Sequence, residues 1–131
     1  MGQKQKARAI VEELFEFQAT TRLSADDVLA SAGRAAEASK KMGGGVRSVK
    51  EVKGDDGDFA AAYQLKGPAG AVTVMSFTLR GTRSSDDSLG VRLEVSDFLY
   101  QKGSLGMKPS INGKKVMLRF VEVLKTELAA G

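Results

Sequence analysis

Three consecutive segments in the middle of the chain alternate between apolar and polar residues with a period of two. They cover residues 59–65, 71–79 and 91–95, and short polar or glycine-containing connections separate them. A period of two is typical of a strand that buries only one of its faces. Because short connections join successive strands in antiparallel order, this pattern predicts an antiparallel sheet with one apolar face.

Two further strands are indicated nearer the start of the chain. Residues Phe15–Leu23 alternate cleanly, whereas in Val46–Lys53 the valines fall three apart. That spacing is typical of a bulge or of an edge strand, so this second segment is the weaker prediction. The basic residues 1–9 are expected to form a flexible tail, although the apolar spacing over Lys4–Leu14 also fits the start of a helix.

Two helices are predicted, one between the first two strands and one at the end of the chain. The first begins at Ser24, where the Ser24 hydroxyl and the acidic Asp27 form a capping box, and it ends at the glycines from Gly43 onward. Its apolar stripe is mostly alanine. The second helix closes the chain, and its apolar stripe is wide enough to face a sheet or a large core. The stripe of this closing helix consists of Val116, Met117, Phe120, Val121, Val123, Leu124 and Leu128.

These elements predict one α+β domain over residues 1–131, an antiparallel β-sheet packed against a capped helix and a long C-terminal helix. A length of 131 residues is usual for a single domain. No apolar run approaches the roughly 20 residues that span a bilayer, so we expect no membrane insertion. Since the basic start of the chain is not followed by the apolar segment of an export signal, we expect a cytoplasmic protein.

The order of these elements resembles the helix-grip fold of the START and Bet v 1-like (SRPBCC) superfamily. The similar parts are "FEFQATTRLSADDVLASAG", a strand leading into a capped helix, and "GKKVMLRFVEVLKTELAAG", a closing helix. The resemblance spans Phe15 to Leu128 and implies a curved sheet that grips the last helix, with a ligand between them. The chain departs from the family pattern because it has one helix after the first strand, where the family has two, and fewer strands. This departure bears on the size of any cavity.

Several classes of chemistry are excluded by composition. The chain has no histidine and no cysteine, which rules out Ser-His-Asp and Cys-His catalysis and zinc sites built on those residues. No glycine-rich phosphate-binding motif follows a strand. The acidic turn Asp55–Asp58 lacks the remaining ligands of a calcium loop. We therefore expect no metal and no cofactor, and an enzyme is the class of function that the sequence supports least.

The apolar faces of the predicted sheet and of the closing helix supply a candidate ligand pocket. Tyr63 and Asp97 are its two polar groups, since both continue the apolar side of their strands, and a few polar groups in an apolar lining are typical of ligand sites. The same side chains would equally form a solid core. The candidate lining consists of Phe59, Tyr63, Met75, Phe77, Leu93, Asp97, Met117, Phe120, Val121 and Leu124.

Three hypotheses of function follow. The first is a non-catalytic binding module for a small apolar or lipid-like ligand. The alternative is a nucleic-acid or other phosphate-binding protein, since five bases and no acid lie between Gln101 and Arg119, although few aromatic residues are present for stacking. A third is a homo-oligomeric structural or interaction protein, because the outer strand faces are fairly apolar around Val72 and Val74.

Overall fold

The computed structural model describes residues 2–131, and Met1 lies outside the described residues. Within that range the chain forms three α-helices, seven strands and a short 3-10 turn at Pro68–Gly70. In chain order the elements are α1 Gln3–Phe15, β1 Phe17–Thr21, α2 Ala25–Ser39, β2 Gly45–Lys53, β3 Phe59–Lys66, β4 Thr73–Arg83, β5 Leu89–Phe98, β6 Tyr100–Gln101, β7 Ser110–Ile111 and α3 Lys114–Ala129.

The main sheet has five antiparallel strands in the order β1-β5-β4-β3-β2. Strands β2 to β5 are neighbours in the order of the chain, whereas β1 pairs with β5, with Phe17 opposite Leu93. The connection through α2 therefore runs from one edge of the sheet to the other. The prediction of an α+β fold with an antiparallel sheet is confirmed. The strand predicted over Val46–Lys53 is confirmed as well, since β2 is an edge strand with a register shift between Ser48 and Lys50.

The helices cover the face of the sheet to which the apolar side chains of β3, β4 and β5 point. In β3 every second residue is buried, from Phe59 to Leu65. The Ser24 side chain caps α2 by accepting a hydrogen bond from the Asp27 amide at 3.1 Å, as the capping box predicts. The far end of α3 is held to β1, where the Thr21 hydroxyl donates to the Leu128 carbonyl at 2.9 Å. The outer face of the sheet remains open.

The start of the chain is a helix, so the expected flexible tail over residues 1–9 is wrong for residues 3–9. Helix α1 buries Ala7, Val11 and Phe15 completely, because these residues lie four apart on one face. Arg8 fixes this helix to the sheet by donating to the Val95 carbonyl at 2.7 Å. Glu16 pairs with Arg8 and accepts a hydrogen bond from the Val95 amide at 2.8 Å. None of the helices in residues 2–131 is long and apolar enough to cross a membrane.

A register shift between β4 and β5 moves Asp97 off the apolar face. Ser76 lies opposite Asp97, but the next residue, Phe77, lies opposite Val95, so Ser96 is an extra residue in β5. An extra residue reverses the alternation beyond it. Asp97 is exposed as a result, and its placement on the inner face is a wrong prediction.

A second shift, between β3 and β4, buries a residue that was assigned to the outer face. Leu65 pairs with Met75 and Lys66 pairs with Thr73, which leaves Val74 between them as the extra residue. Val74 is only 8% exposed. The alternation predicted for residues 71–79 therefore holds only from Met75 onward, where one residue in two is buried up to Leu79.

Candidate functional site

The middle of the predicted pocket is filled by three aromatic rings. The Tyr63 and Phe77 rings are stacked, with centroids 5.3 Å apart, and the Phe120 ring lies 5.3 Å from Phe77 and 6.4 Å from Tyr63. These contacts join the sheet directly to α3. Nine of the ten predicted lining residues are at most 5% exposed, namely Phe59, Tyr63, Met75, Phe77, Leu93, Met117, Phe120, Val121 and Leu124.

The tenth predicted residue lies elsewhere, so the expected pair of polar groups is not formed. Asp97 is exposed at the end of β5, and its carboxylate accepts a hydrogen bond from the Phe98 amide at 3.0 Å. Tyr63 is buried, and burial first, then the Glu51 carboxylate, raise the pKa of Tyr63 to about 12. A phenol with that pKa keeps its proton at neutral pH, so Tyr63 does not act as a general base there.

An apolar cleft of about 240 Å³ opens at one end of the core. It lies between the β3–β4 turn, the turn from α2 to β2, and the start of α3. None of the ten predicted residues lines it. We call it the end cleft, and its lining consists of Lys41, Met42, Leu65, Lys66, Gly67, Pro68, Val74, Asn112, Gly113 and Val116.

One wall of the end cleft lies where the glycine that precedes α3 packs closely on Leu65. Gly113 has φ +76°, and a Cβ built on it would lie 2.6 Å from the Leu65 Cδ2 atom and 3.0 Å from the Val74 Cγ2 atom. No L side chain fits this position easily. The bulge residue Val74 lines the end cleft beside Leu65 and Gly113. One signal in the sequence points to this place, the Asn112-Gly113 pair before the closing helix, which is typical of a left-handed turn.

The mouth of the end cleft is formed by two turns that are bonded to each other. The Ala69 amide donates to the Met42 carbonyl at 3.0 Å. Both residues have left-handed backbones without being glycine, with φ +52° for Met42 and +63° for Ala69. Such conformations cost of order 1–3 kcal/mol each and concentrate at functional sites. The Met42 side chain lines the end cleft, yet 77% of it is exposed to solvent.

The charges around the end cleft are positive. Lys41 and Lys66 line it without an acid among the lining residues. The first turn of α3 has no acidic residue and no side-chain cap, and it begins with Lys114 and Lys115. Bases are unfavourable at the N-terminal end of a helix, where the backbone dipole is already positive. The result is an apolar space with a positive potential at its edge.

The open face of the sheet carries a second positive feature. Arg80 of β4 lies directly opposite Arg92 of β5, and both side chains are exposed. Like charges in this position destabilise a sheet. Arg92 is partly compensated by Glu94, whose Oε1 lies 3.4 Å from the Arg92 Nε.

The apolar patch expected for self-association is smaller than the sequence suggested. Val74 is buried, while Val72 is 54% exposed. Two further apolar side chains, Val49 and Val52, are exposed on the edge strand β2, but Lys50 and Glu51 lie between them, and charged edges discourage pairing between sheets. The homo-oligomer hypothesis stays a prediction.

The acidic turn acts as a hairpin connection. Asp58 accepts a hydrogen bond from the Arg83 amide at 2.7 Å, and Asp56 accepts one from the Asp58 amide at 3.1 Å. Gly57 supplies the left-handed position with φ +92°. Among residues 2–131 no group of three or more acidic side chains is placed to hold a metal ion.

Comparisons of the chain with protein-family models, with curated proteins and with solved structures found no match. The resemblance to the helix-grip superfamily therefore stays a prediction from the order of the elements.

Proposed function

We propose that the protein is a non-catalytic binding module for a small apolar molecule with an anionic end, held in the end cleft. The observation that carries the proposal is the composition of that cleft, whose walls are mainly apolar and whose charged lining residues, Lys41 and Lys66, are both basic. Apolar contacts would hold the body of the ligand, and the lysines with the first turn of α3 would favour its charge.

The size of the cleft limits the ligand. Its volume of about 240 Å³ is below the roughly 300–1,000 Å³ of sites for drug-sized molecules. A ligand of about ten non-hydrogen atoms at a moderate efficiency per atom would have a dissociation constant on the order of 0.1–1 mM. A method that detects weak binding residue by residue is therefore required.

The test is a titration of the isotopically labelled protein with octanoate, followed by amide chemical shifts. We expect the largest shifts at Met42, Leu65 and Gly113. Val116→Phe fills the cleft and should abolish saturable binding. The matched control is Val123→Phe, since Val123 is also half-buried on α3 but does not line the cleft. Equal octanoate binding by both variants, each folded, would refute the cleft as the site.

The sign of the charge gives an independent test. Octylamine has the same apolar chain and the opposite charge, so we expect it to bind at least about tenfold more weakly, a difference of about 1.4 kcal/mol. Lys41→Gln should weaken octanoate binding, whereas Lys125→Gln, an exposed lysine away from the cleft, should not. Equal binding of the two probes would overturn the anionic part of the proposal.

A second candidate function rests on the Arg80–Arg92 pair. An exposed cross-strand pair of bases is suited to a phosphate chain, which would remove the repulsion between them. Binding of a fluorescent single-stranded RNA should weaken steeply with salt. It should also weaken in Arg80→Gln and Arg92→Gln but not in Lys125→Gln. An equal loss in all three variants would point to unspecific charge attraction.

A further inference from the structure

The loop between β6 and β7 presents two apolar side chains to solvent. We call residues 102–109 the tip loop. Leu105 is 103% exposed and Met107 is 66% exposed. The exposed fraction of Leu105 means that its side chain contacts almost nothing in the rest of the protein. Single exposed apolar residues are common, but here a fully exposed leucine lies two residues from an exposed methionine at the end of a loop.

The backbone of the tip loop holds these side chains outward. Leu105 has φ +52° without being glycine, and Gly106 follows with φ +80°. The Met107 amide closes the turn by donating to the Ser104 carbonyl at 3.0 Å. A left-handed leucine is an unusual conformation that needs a local reason. Here the turn directs Leu105 away from the body of the protein.

The base of the tip loop is fixed, so the loop projects as a defined unit. The Gly103 amide donates to the Gln3 side chain at 3.0 Å, which joins the loop to α1. A Cβ on Gly103 would lie 2.1 Å from the Met107 carbonyl oxygen, so the two arms of the loop are in backbone contact. Below them Tyr100 pairs with Ile111.

Bases surround the apolar tip. Lys102 and Lys108 are exposed at the two ends of the loop, and Lys108 shares a groove with Lys114 of α3. Lys6 is exposed one helical turn beyond Gln3 on α1. The carboxylate on this groove is that of Glu13, and the sequence has no acidic residue from position 98 to position 121.

We propose that the tip loop docks the protein on the surface of an anionic lipid bilayer. Leu105 and Met107 would enter the boundary between headgroups and acyl chains, while the lysines contact the anionic headgroups. The charge of the surrounding lysines matches that surface. A protein partner fits less well, because a single convex loop offers far less than the roughly 800 Å² per partner of a stable protein interface. A bilayer requires no complementary pocket.

The experiment uses the absence of tryptophan in the chain. Leu105→Trp places a single reporter at the tip, and Val72→Trp places one at another exposed apolar position as the control. Both are mixed with vesicles of phosphatidylcholine, with and without phosphatidylserine. We expect the Leu105→Trp emission to shift to shorter wavelength only with phosphatidylserine, and the Val72→Trp emission to stay constant. No shift for Leu105→Trp, or an equal shift for both, overturns the proposal.

Vesicle co-sedimentation of the unlabelled chain measures the two contributions separately. Leu105→Ser should weaken binding about tenfold, through loss of the buried side chain, and Lys102→Gln about fivefold. Lys125→Gln is the lysine control and should change binding little. Thermal unfolding checks that each variant is folded. Anionic binding that Leu105→Ser leaves unchanged would show that another basic surface is responsible, and the proposal would be withdrawn.

Discussion

The centre of the helix-covered face and its end near α3's first turn are both apolar, yet one is filled and the other is open. At the centre, Phe120 of α3 packs on the stacked rings of Tyr63 and Phe77. At the end, α3 presents Gly113 and Val116 over Leu65 and leaves about 240 Å³. The centre is filled by three aromatic rings, two from the sheet and one from α3, whereas the end has only aliphatic side chains of both.

The largest expected effect comes from emptying the centre. Phe120→Ala removes a ring that is 0% exposed, and we expect a loss of about 3–5 kcal/mol in the free energy of unfolding because a cavity remains. Val116→Ala should lower the free energy of unfolding much less, since Val116 already borders the open end cleft. Urea unfolding of both variants measures the contrast, and similar losses would contradict it.

The second largest effect concerns the centre again, and it is measured as the dependence of stability on pH. The Tyr63 pKa is raised to about 12 from about 10 in an unfolded chain. The folded state therefore holds this proton more tightly, and the stabilisation is complete below pH 10 and is lost as pH rises toward 12. The loss attributable to Tyr63 should be on the order of 2–3 kcal/mol.

Tyr63→Phe is the control for that titration. The variant should lose less stability than the original chain between these two pH values, while both behave alike near neutral pH apart from the cost of the substitution itself. Parallel curves for the two proteins over the whole alkaline range would show that the phenol is well solvated.

Glycine substitutions test how closely the turn before α3 packs on the sheet. Gly113→Ala introduces a Cβ 2.6 Å from Leu65 Cδ2 at a positive φ, so we expect a loss of about 1–3 kcal/mol. Gly33→Ala is the matched control, because Gly33 lies inside α2 with no atom within 4 Å of the added carbon. Alanine at position 33 should raise the free energy of unfolding by roughly 0.5–1 kcal/mol. The midpoint temperature of thermal unfolding should fall for Gly113→Ala and rise for Gly33→Ala.

The smallest effect is expected on the face that no helix covers. Arg80→Thr removes the repulsion with Arg92 and places a β-branched residue on a strand, so the free energy of unfolding should rise by about 0.2–1 kcal/mol. The gain should shrink at high salt, which screens exposed charges. A loss of stability at low salt would mean that Arg80 makes a favourable contact instead.

The sequence predicted the fold better than the site, and particular residues explain why. The alternation in β3 and the Ser24 cap of α2 are local signals, and both are confirmed. The expected lining was taken from residues on one apolar face, and nine of those ten residues are buried in the core. The end cleft was missed because Met42, Leu65 and Val116 come from a turn, a strand and a helix that no sequence period connects.

The sequence by itself determined the order of β1, α2, the strands β2 to β5 and α3, and most of the faces that become apolar, because periodicity depends only on neighbouring residues along the chain. Only the tertiary structure decided the bulges in β4 and β5. The extra residues Val74 and Ser96 depend on how each strand meets its partner, and one such residue moves every following side chain to the other face. That is why Asp97 lies in solvent and why Val74 lines the end cleft.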